Sequence, residues 1–470
     1  MSLSGMLNKF IISGCLGLAA SSALAQQQPR NIILIIGDGM DDQQITIARN
    51  YLKGSQGRLL LDEMPMRASV QVQTVDDAAP QKSVYVADSA NSASSIATGV
   101  VTSRGRIATS ANTDQDLRTI VELAQAQGYK TGIVTTANVT DATPAAFIAH
   151  ISSRGCENPQ MMVDALVLGR IKIDCSADLK ANGGHGSIAE QIADSNLDVV
   201  LGGGSKHFAM LTPASQKTVL QSALDNQFIS VQTSQQLKQA SNSQLNKKLL
   251  GLFSKSTLPV RLRAEGGRPP EKPEPSLLNF FHRYLGSVEL PEAVACEANP
   301  EYLATPSLKI MTDVAIQRLS HNNNTGFFLM IESASIDKQS HQRQPCGSIG
   351  ELQQLEESLA SALAFADKHG NTLVIVTADH GQAAQIIPDE SLFQPFDVPV
   401  FTPGHLVRLK TPEGAILAIN YATNDFPMEE HTGVDVPLFS NALGRSLLPT
   451  HLSQVELFEH MAQFLGLAPE

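Results

Sequence analysis

The sequence has no tryptophan, and aromatic residues make up only 5% of its 470 positions. An aromatic stacking platform for single-stranded nucleic acid is therefore disfavoured. Excess positive charge is also missing. The formal net charge of −12 disfavours sequence-independent binding to a polyanion. A small anionic substrate stays open, because metal ions or arginines can invert the field at one site. No C-x-x-C pair occurs, which disfavours a cysteine zinc cluster. No G-x-S-x-G elbow occurs, which disfavours the α/β-hydrolase form of serine catalysis. After the N-terminus, no uncharged run reaches the ~20 residues that a membrane-spanning helix needs. With 42% hydrophobic and 17% charged residues, the chain is not disordered, collagen-like or a small disulfide-stapled scaffold.

What is there begins with an export signal over residues 1–25. Lys9 supplies positive charge, Phe10 to Ala20 is mostly apolar, and Ala23-Leu24-Ala25 is an A-x-A cleavage site. A periplasmic or secreted mature chain would begin near Gln26. A lipoprotein box at Ile12-Ser13-Gly14-Cys15 is a second reading, weakened by the short apolar stretch before Cys15. Four cysteines remain after the signal, namely Cys156, Cys175, Cys296 and Cys346. An even count in an exported chain suggests two disulfides, for which three pairings are open. Nearest-in-sequence pairing, Cys156–Cys175 with Cys296–Cys346, is favoured.

Short apolar runs at Asn31–Ile36, Thr131–Thr135, Asp198–Leu201, Phe327–Ile331 and Thr372–Thr377 read as buried strands. Helical patterns lie between them, such as Thr119–Gln127 and Leu352–Lys368. This alternation predicts an α/β fold, a large and mostly parallel central sheet with helices on both faces. Residues 26–470 read as one domain. A Pro/Gly-rich surface excursion is expected at about 251–296, and Gly404–Ala422 reads as a pair of antiparallel strands.

Open α/β sheets bind ligands beyond the carboxyl ends of their strands, and metal-type residues stand there. The first strand runs into Gly37-Asp38-Gly39, and the second is followed by Asp141 and Thr143. The fourth ends at Glu332, with Asp337 and His341 just beyond, and the fifth ends in Asp379-His380. Each signal alone has a bland reading. An isolated Asp-x-x-x-His is usually an exposed pair, a strand-end histidine is usually structural, and His431 sits in a polar turn. Asp38 between glycines suits a turn. Ser89, in Asp88-Ser89-Ala90-Asn91, suits a helix cap, and equally a nucleophile at a helix N-terminus that favours phosphate. Arg154 offers a fork matched to two phosphate oxygens, or a surface charge. Their combination at strand ends is far more specific than any one.

Together these residues resemble the alkaline phosphatase family, its exported bacterial members in particular. The motifs that carry the resemblance occur in the family's order: Asn31 to Met40, Asp88-Ser89-Ala90, Asp141-Ala142-Thr143-Pro144-Ala145, Glu332 to Lys338, Thr377-Ala378-Asp379-His380 and Glu430-His431-Thr432-Gly433. The resemblance implies a phosphate monoester hydrolase with two zinc ions and one magnesium ion, acting through a phosphoserine on Ser89. It implies one zinc on Asp337, His341 and His431, and the second on Asp38, Asp379 and His380. Asp38 would bridge to magnesium, with Thr143 and Glu332 as further ligands and Asp141 holding its water. Arg154 would clamp phosphate, and Lys338 would contact it from farther out, often through water. Small phosphomonoesters as substrates and a homodimer also follow from the resemblance, and the favoured disulfide pairing fits it; no specific nucleic-acid partner and no membrane span are expected from the charge, the aromatic content and the lack of a long uncharged run.

The chain departs from the pattern at two places. Gln382 stands where near relatives carry a second histidine, and Ser340 replaces an acidic residue beside the zinc histidine. A phosphodiesterase or sulfatase of the same superfamily is the alternative, as is an inactive metal- or phosphate-binding protein. Ser89-Ala90-Asn91-Ser92 lacks the C/S-x-P-x-R setting of sulfatases, Thr143 and Glu332 favour monoesters over diesters, and no first-rank ligand is missing.

Overall fold

Burial dictates the centre of the molecule. Ile32 to Ile36 are all fully buried, and each such side chain contributes roughly 1.5–3 kcal/mol relative to exposure. They lie in a computed structural model that describes residues 29–167, 171–213, 215–282, 285–393 and 403–467. The segment read as an export signal, with Cys15 and the cleavage point after Ala25, lies outside the described residues.

Ten strands form one sheet: β1 (Arg30–Gly37), β2 (Met66–Gln71), β3 (Lys130–Asn138), β4 (Val199–Gly203), β5 (Phe228–Val231), β6 (Lys248–Leu252), β7 (Gly326–Ser333), β8 (Thr372–Ala378), β9 (Val436–Ser440) and β10 (His451–Ser453). Their order is β10-β2-β9-β8-β1-β7-β3-β4-β6-β5. Neighbours are parallel except where β9 pairs antiparallel with β8 and β2. The five strands expected from the sequence are the central block of this sheet. The outer strands carry weaker signals. β2 alternates buried and exposed residues, β9 contains Pro437, and β6 is interrupted by Gly251.

Two helix groups cover the sheet. One contains α1 (Asp42–Lys53), α5 (Leu308–Ser320), α6 (Ser335–His341) and α7 (Pro345–Lys368). The other contains α2 (Ser89–Thr98), α3 (Ile120–Ala126), α4 (Ala142–Ala145) and α8 (Gln454–Leu465). Both α7 and α8 touch β1, which is buried along its length, as a parallel sheet covered on both faces requires. Helix α3 starts and stops where the sequence placed it, between Thr119 as N-cap and Gln127 as C-cap. Helix α7 begins seven residues before the expected Leu352, at Pro345. Gly347 and Gly350 weaken the helical signal there, and Gly350 allows a close approach of backbone. A Cβ on Gly347 would meet Gln339 at 2.2 Å, and one on Gly350 would meet the Leu262 backbone at 2.9 Å.

The Pro/Gly-rich stretch also starts later than expected, since Gly251 and Leu252 close the buried strand β6. It is clasped at its base, where Leu262–Ala264 pairs antiparallel with Cys296–Ala298. It carries exposed Leu277, Phe280 and Phe281. The stretch expected as a strand pair forms His405–Lys410 and Ile416–Tyr421, in a separate three-stranded sheet with Gln385–Ile387. Disulfides join Cys156 to Cys175 and Cys296 to Cys346. No helix among the described residues is long and apolar enough to cross a membrane.

Candidate active site

Parallel register brings the candidate residues to one edge. Ile36 on β1 pairs with Glu332 on β7 and Thr377 on β8, and Glu332 pairs with Thr135 on β3. Asp38, Glu332 and Asp379 therefore leave the sheet side by side. The turn after β1 needs glycine. Gly39 has φ +65°, and a Cβ there would press on Gln382 Cγ at 2.8 Å and Asp337 Cβ at 3.1 Å. Its N–H donates to Asp379 Oδ1 at 2.9 Å.

Ser89 opens helix α2, whose ten residues are all small or β-branched and all buried. Asp88 and Asn91 form a capping box at this end. Ser89 Oγ lies 3.1 Å from His380 Nε2, and both side chains are buried. His380 directs Nδ1 to the Gly381 carbonyl at 3.2 Å, so Nε2 faces the cluster, 3.5 Å from Asp38 Oδ1 and 3.4 Å from Asp379 Oδ2. On α6, Asp337 and His341 share a face as their spacing required, with His341 Nε2 3.2 Å from Asp337 Oδ2. His431 enters from the far end of the chain. Its Nε2 is 3.0 Å from His341 Nε2 and 3.4 Å from Asp337 Oδ1, while Nδ1 meets the Ala87 carbonyl at 2.9 Å.

Two ligand groupings result. Asp337, His341 and His431 form one, and Asp38, Asp337 and His380 the other, each with ligand atoms within 4.8 Å of one another. Asp337 thus stands between both, and Asp379 borders the second. Among the described residues, the buried oxygens Asp38 Oδ1, Asp379 Oδ2 and Thr143 Oγ1 have no hydrogen-bond partner. An unpaired buried oxygen is costly unless a cation takes it, so this donor set fits metal ions. Thr143 and Glu332 carry hard oxygen donors of the kind magnesium prefers, and the mixed carboxylate and imidazole donors of the two groupings suit zinc.

The charges agree. Burial, with Asp337, Asp379 and Glu332 nearby, pushes the Asp38 carboxyl well above its usual range. Burial and Asp141 push Glu332 up to about 8. Burial also opposes ionisation of Asp337, but His341 and His431 hold its carboxyl well below the ordinary value. Burial lowers His380, keeping the imidazole neutral as a metal ligand must be. Crowded acids with raised pKa values mark a place where positive charge belongs.

Arg154 bridges two acids beside the cluster. One Nη donates to Asp88 Oδ2 and the other to Asp141 Oδ1, each at 3.2 Å. Burial would lower its pKa, but Asp88, Asp141 and Asp38 outweigh this and raise it. Lys338 Nζ donates to Asp141 Oδ2. Asp141 is thereby the anchor of both cations, and they outweigh its burial and hold it ionised. Thr143 follows on α4, buried, and the Thr135 hydroxyl donates to Glu332. Gln382 Nε2 donates to Asp337 Oδ1, taking the place expected of the histidine that relatives carry. Ser340 is fully buried, accepts from Gln44 Nε2 at 2.7 Å and donates to the Ile336 carbonyl.

The structure therefore gathers Asp38, Ser89, Glu332, Asp337, His341, Asp379, His380 and His431 directly, with Asp141, Thr143, Arg154 and Lys338 around them. No role for Asp88, which orients Arg154, or for Arg343 and Glu429, which lie behind the histidines, was legible in the sequence. Asp88 had one legible signal, its position before a small-residue helix. Arg343 had none.

The family model for alkaline phosphatase matches residues 29–396. An alkaline phosphatase of Escherichia coli is 37% identical over 454 residues, covering 96% of this chain and 88% of that protein. The streptomycin-6-phosphate phosphatase of Streptomyces griseus is 39% identical over 434 residues, covering 89% and 87%. Among solved structures, the alkaline phosphatase of the Antarctic bacterium TAB5 superposes with a TM-score of 0.64 at 22% identity, covering 94% of this chain and all of that one. That likeness speaks for the fold, and the sequence relatives speak for more: the chain belongs to the alkaline phosphatase family of enzymes.

Proposed function

We propose that this enzyme hydrolyses small phosphate monoesters through a phosphoserine on Ser89, using two Zn²⁺ and one Mg²⁺. The observation that carries this reading is the 3.1 Å approach of Ser89 Oγ to His380 Nε2, inside a buried set of acids and imidazoles. Asp337, His341 and His431 would hold one zinc, and Asp38, Asp379 and His380 the other. Asp38, Thr143 and Glu332 would hold magnesium, with Asp141 beside it. When bound, these ions supply the positive charge that favours an ionised serine and stabilises the transferring phosphoryl group and the departing oxygen.

The chain's own residues do the rest. Ser89 gives up its hydroxyl proton to solvent, Oγ attacks phosphorus in line as the ester O–P bond breaks, and the leaving alkoxide takes a proton back from solvent. Water then attacks the phosphoserine, the Oγ–P bond breaks, and phosphate leaves with Ser89 regenerated. Arg154, held flat by Asp88 and Asp141, presents its guanidinium to two phosphoryl oxygens. The N-terminus of α2 adds backbone N–H groups aimed at the same anion. Lys338 adds charge from behind Asp141. Little covalent chemistry is left to the protein, and positioning and charge dominate.

The proposal includes export after cleavage near Ala25, which the two disulfides support, and assembly as a homodimer. N-terminal sequencing of the mature protein and light scattering test these two points. The decisive experiment combines metal analysis by mass spectrometry with an acid-quench trap for phosphoserine. A covalent phosphate on Ser89 in protein carrying two zinc and one magnesium is expected. Fully metallated protein that turns over monoester with no trapped phosphate on Ser89 would overturn the mechanism.

A further inference from the structure

We infer that the buried pair Arg343–Glu429 is a clasp that positions the His341 and His431 half of the metal cage. This rests on the reading of Asp337, His341 and His431 as ligands of one zinc. Arg343 lies two residues after His341, and Glu429 lies two residues before His431. Their side chains are only 4% and 0% exposed, and Arg343 Nε donates to Glu429 Oε2 at 2.6 Å.

The remaining donors and acceptors of the pair are spent on the segment that delivers His431. Arg343 Nη2 donates to the Phe426 carbonyl at 2.8 Å and the Asn424 carbonyl at 3.3 Å, and Nη1 donates to the Pro427 carbonyl at 3.4 Å. Glu429 Oε1 accepts from the Thr423 N–H at 2.8 Å, the Asn424 N–H at 3.3 Å and the Thr423 hydroxyl. Residues 422–430 form neither helix nor strand, so their backbone groups need partners from elsewhere. The clasp supplies them.

Its output is at the histidines. The Glu429 carbonyl accepts from His341 Nδ1 at 2.5 Å, and the Glu429 N–H donates to the His341 carbonyl at 2.9 Å. These bonds fix the His341 tautomer and turn Nε2 toward Asp337 and His431. A partner on the remote nitrogen of a ligand histidine sets ring orientation and donor strength. Arg343 itself adopts φ +56°, an uncommon conformation for a bulky residue, and so aims its guanidinium inward. A buried ion pair is weak evidence for added stability by itself, whereas its aim on two ligands is specific. Arg343 and Glu429 are positioning residues, and neither reaches the substrate.

The test uses full-length protein loaded with Zn²⁺, competed against a chelator, and a parallel Co²⁺-substituted sample read by its visible spectrum. The variants are Arg343→Met and Glu429→Gln, with Arg261→Met as a control that removes another ion pair, Arg261–Glu357. The expected result is that both clasp variants release one of two zinc ions about 10–100-fold more readily, with an altered cobalt spectrum. The control changes melting temperature alone. Arg343→Lys, which keeps charge without the fork, should fall between wild type and Arg343→Met, and with Glu429→Gln it carries the test if Arg343→Met does not fold. Clasp variants that melt lower yet hold both zinc ions as wild type does would overturn the inference. Wild-type protein that binds no zinc on His341 and His431 would instead overturn the ligand reading beneath it.

Discussion

Ser89 Oγ and His380 Nε2 meet at 3.1 Å across 291 residues of sequence. The contact joins the N-terminus of α2 to the end of β8. It places a hydroxyl against a neutral imidazole and two buried carboxylates. Ser89→Ala should lower kcat/KM for a phosphate monoester by on the order of 10³-fold or more, while zinc content by mass spectrometry stays at the wild-type value. Turnover close to wild type would remove the serine from the mechanism.

Arg154 is held between Asp88 and Asp141 rather than free in solvent. Arg154→Ala should reduce kcat/KM by on the order of 10²-fold and weaken inhibition by inorganic phosphate in parallel. Arg154→Lys should recover little of this, because an ammonium lacks the planar fork. Unchanged phosphate inhibition in Arg154→Ala would place the anion elsewhere.

Gln382 donates to Asp337 Oδ1, the carboxylate shared by both ligand groupings. Gln382→Ala should weaken zinc binding about 10–100-fold, as loss of a ligand's outer partner does, and Gln382→His should not. Chelator competition measures both. Equal zinc retention in wild type and Gln382→Ala would show that the hydrogen bond does not support the site.

The disulfides should separate by effect. Cys296–Cys346 closes a loop of 50 residues and Cys156–Cys175 one of 19. Loop entropy then favours the longer bridge, about 4 against about 3 kcal/mol. Replacing Cys296 and Cys346 by serine should cost more in denaturant stability. Replacing Cys156 and Cys175, of which Cys156 lies two residues from Arg154, should cost more in kcat/KM. Identical losses in both assays would contradict this.

Glu351 is fully buried behind the site, accepting from Thr136, Ser333 and Gln354. Burial pushes its carboxyl from 4.5 up to about 7. The folded state thus holds this proton more tightly than the unfolded chain. Stability is then lost as pH rises between about 4.5 and about 7, with the full loss, on the order of 3 kcal/mol, above that window. Glu351→Gln should flatten this slope, so that the variant gains on wild type between pH 5 and pH 8 in urea melts. Parallel pH profiles would show that Glu351 is ionised at no cost.

The middle of the fold was legible because a strand buried on both faces must be apolar throughout, as β1 is from Ile32 to Ile36. The edges were not. A half-exposed strand such as β2 mixes Arg67 and Gln71 with Met66, Ala68 and Val70, and its partners decide its state. Helix α7 begins earlier than the pattern suggested, at Pro345, because Gly347 and Gly350 mask its first turns and Gly350 packs against the Leu262 backbone. The candidate ligands were legible as residue types at strand ends and in motifs. Asp337 standing between two ligand groupings, Gln382 reaching Asp337, and Arg343 closing on Glu429 were not. Each depends on segments that approach only after the chain has folded.

Which chemical groups stand beyond β1, β7 and β8 follows from the order of residues alone, because a parallel strand carries its last residues to a set edge. How they meet is a matter of long-range packing. Distances among Ser89, His341, His380 and His431 follow from the register between strands and from the path of residues 422–430, and long-range packing sets both.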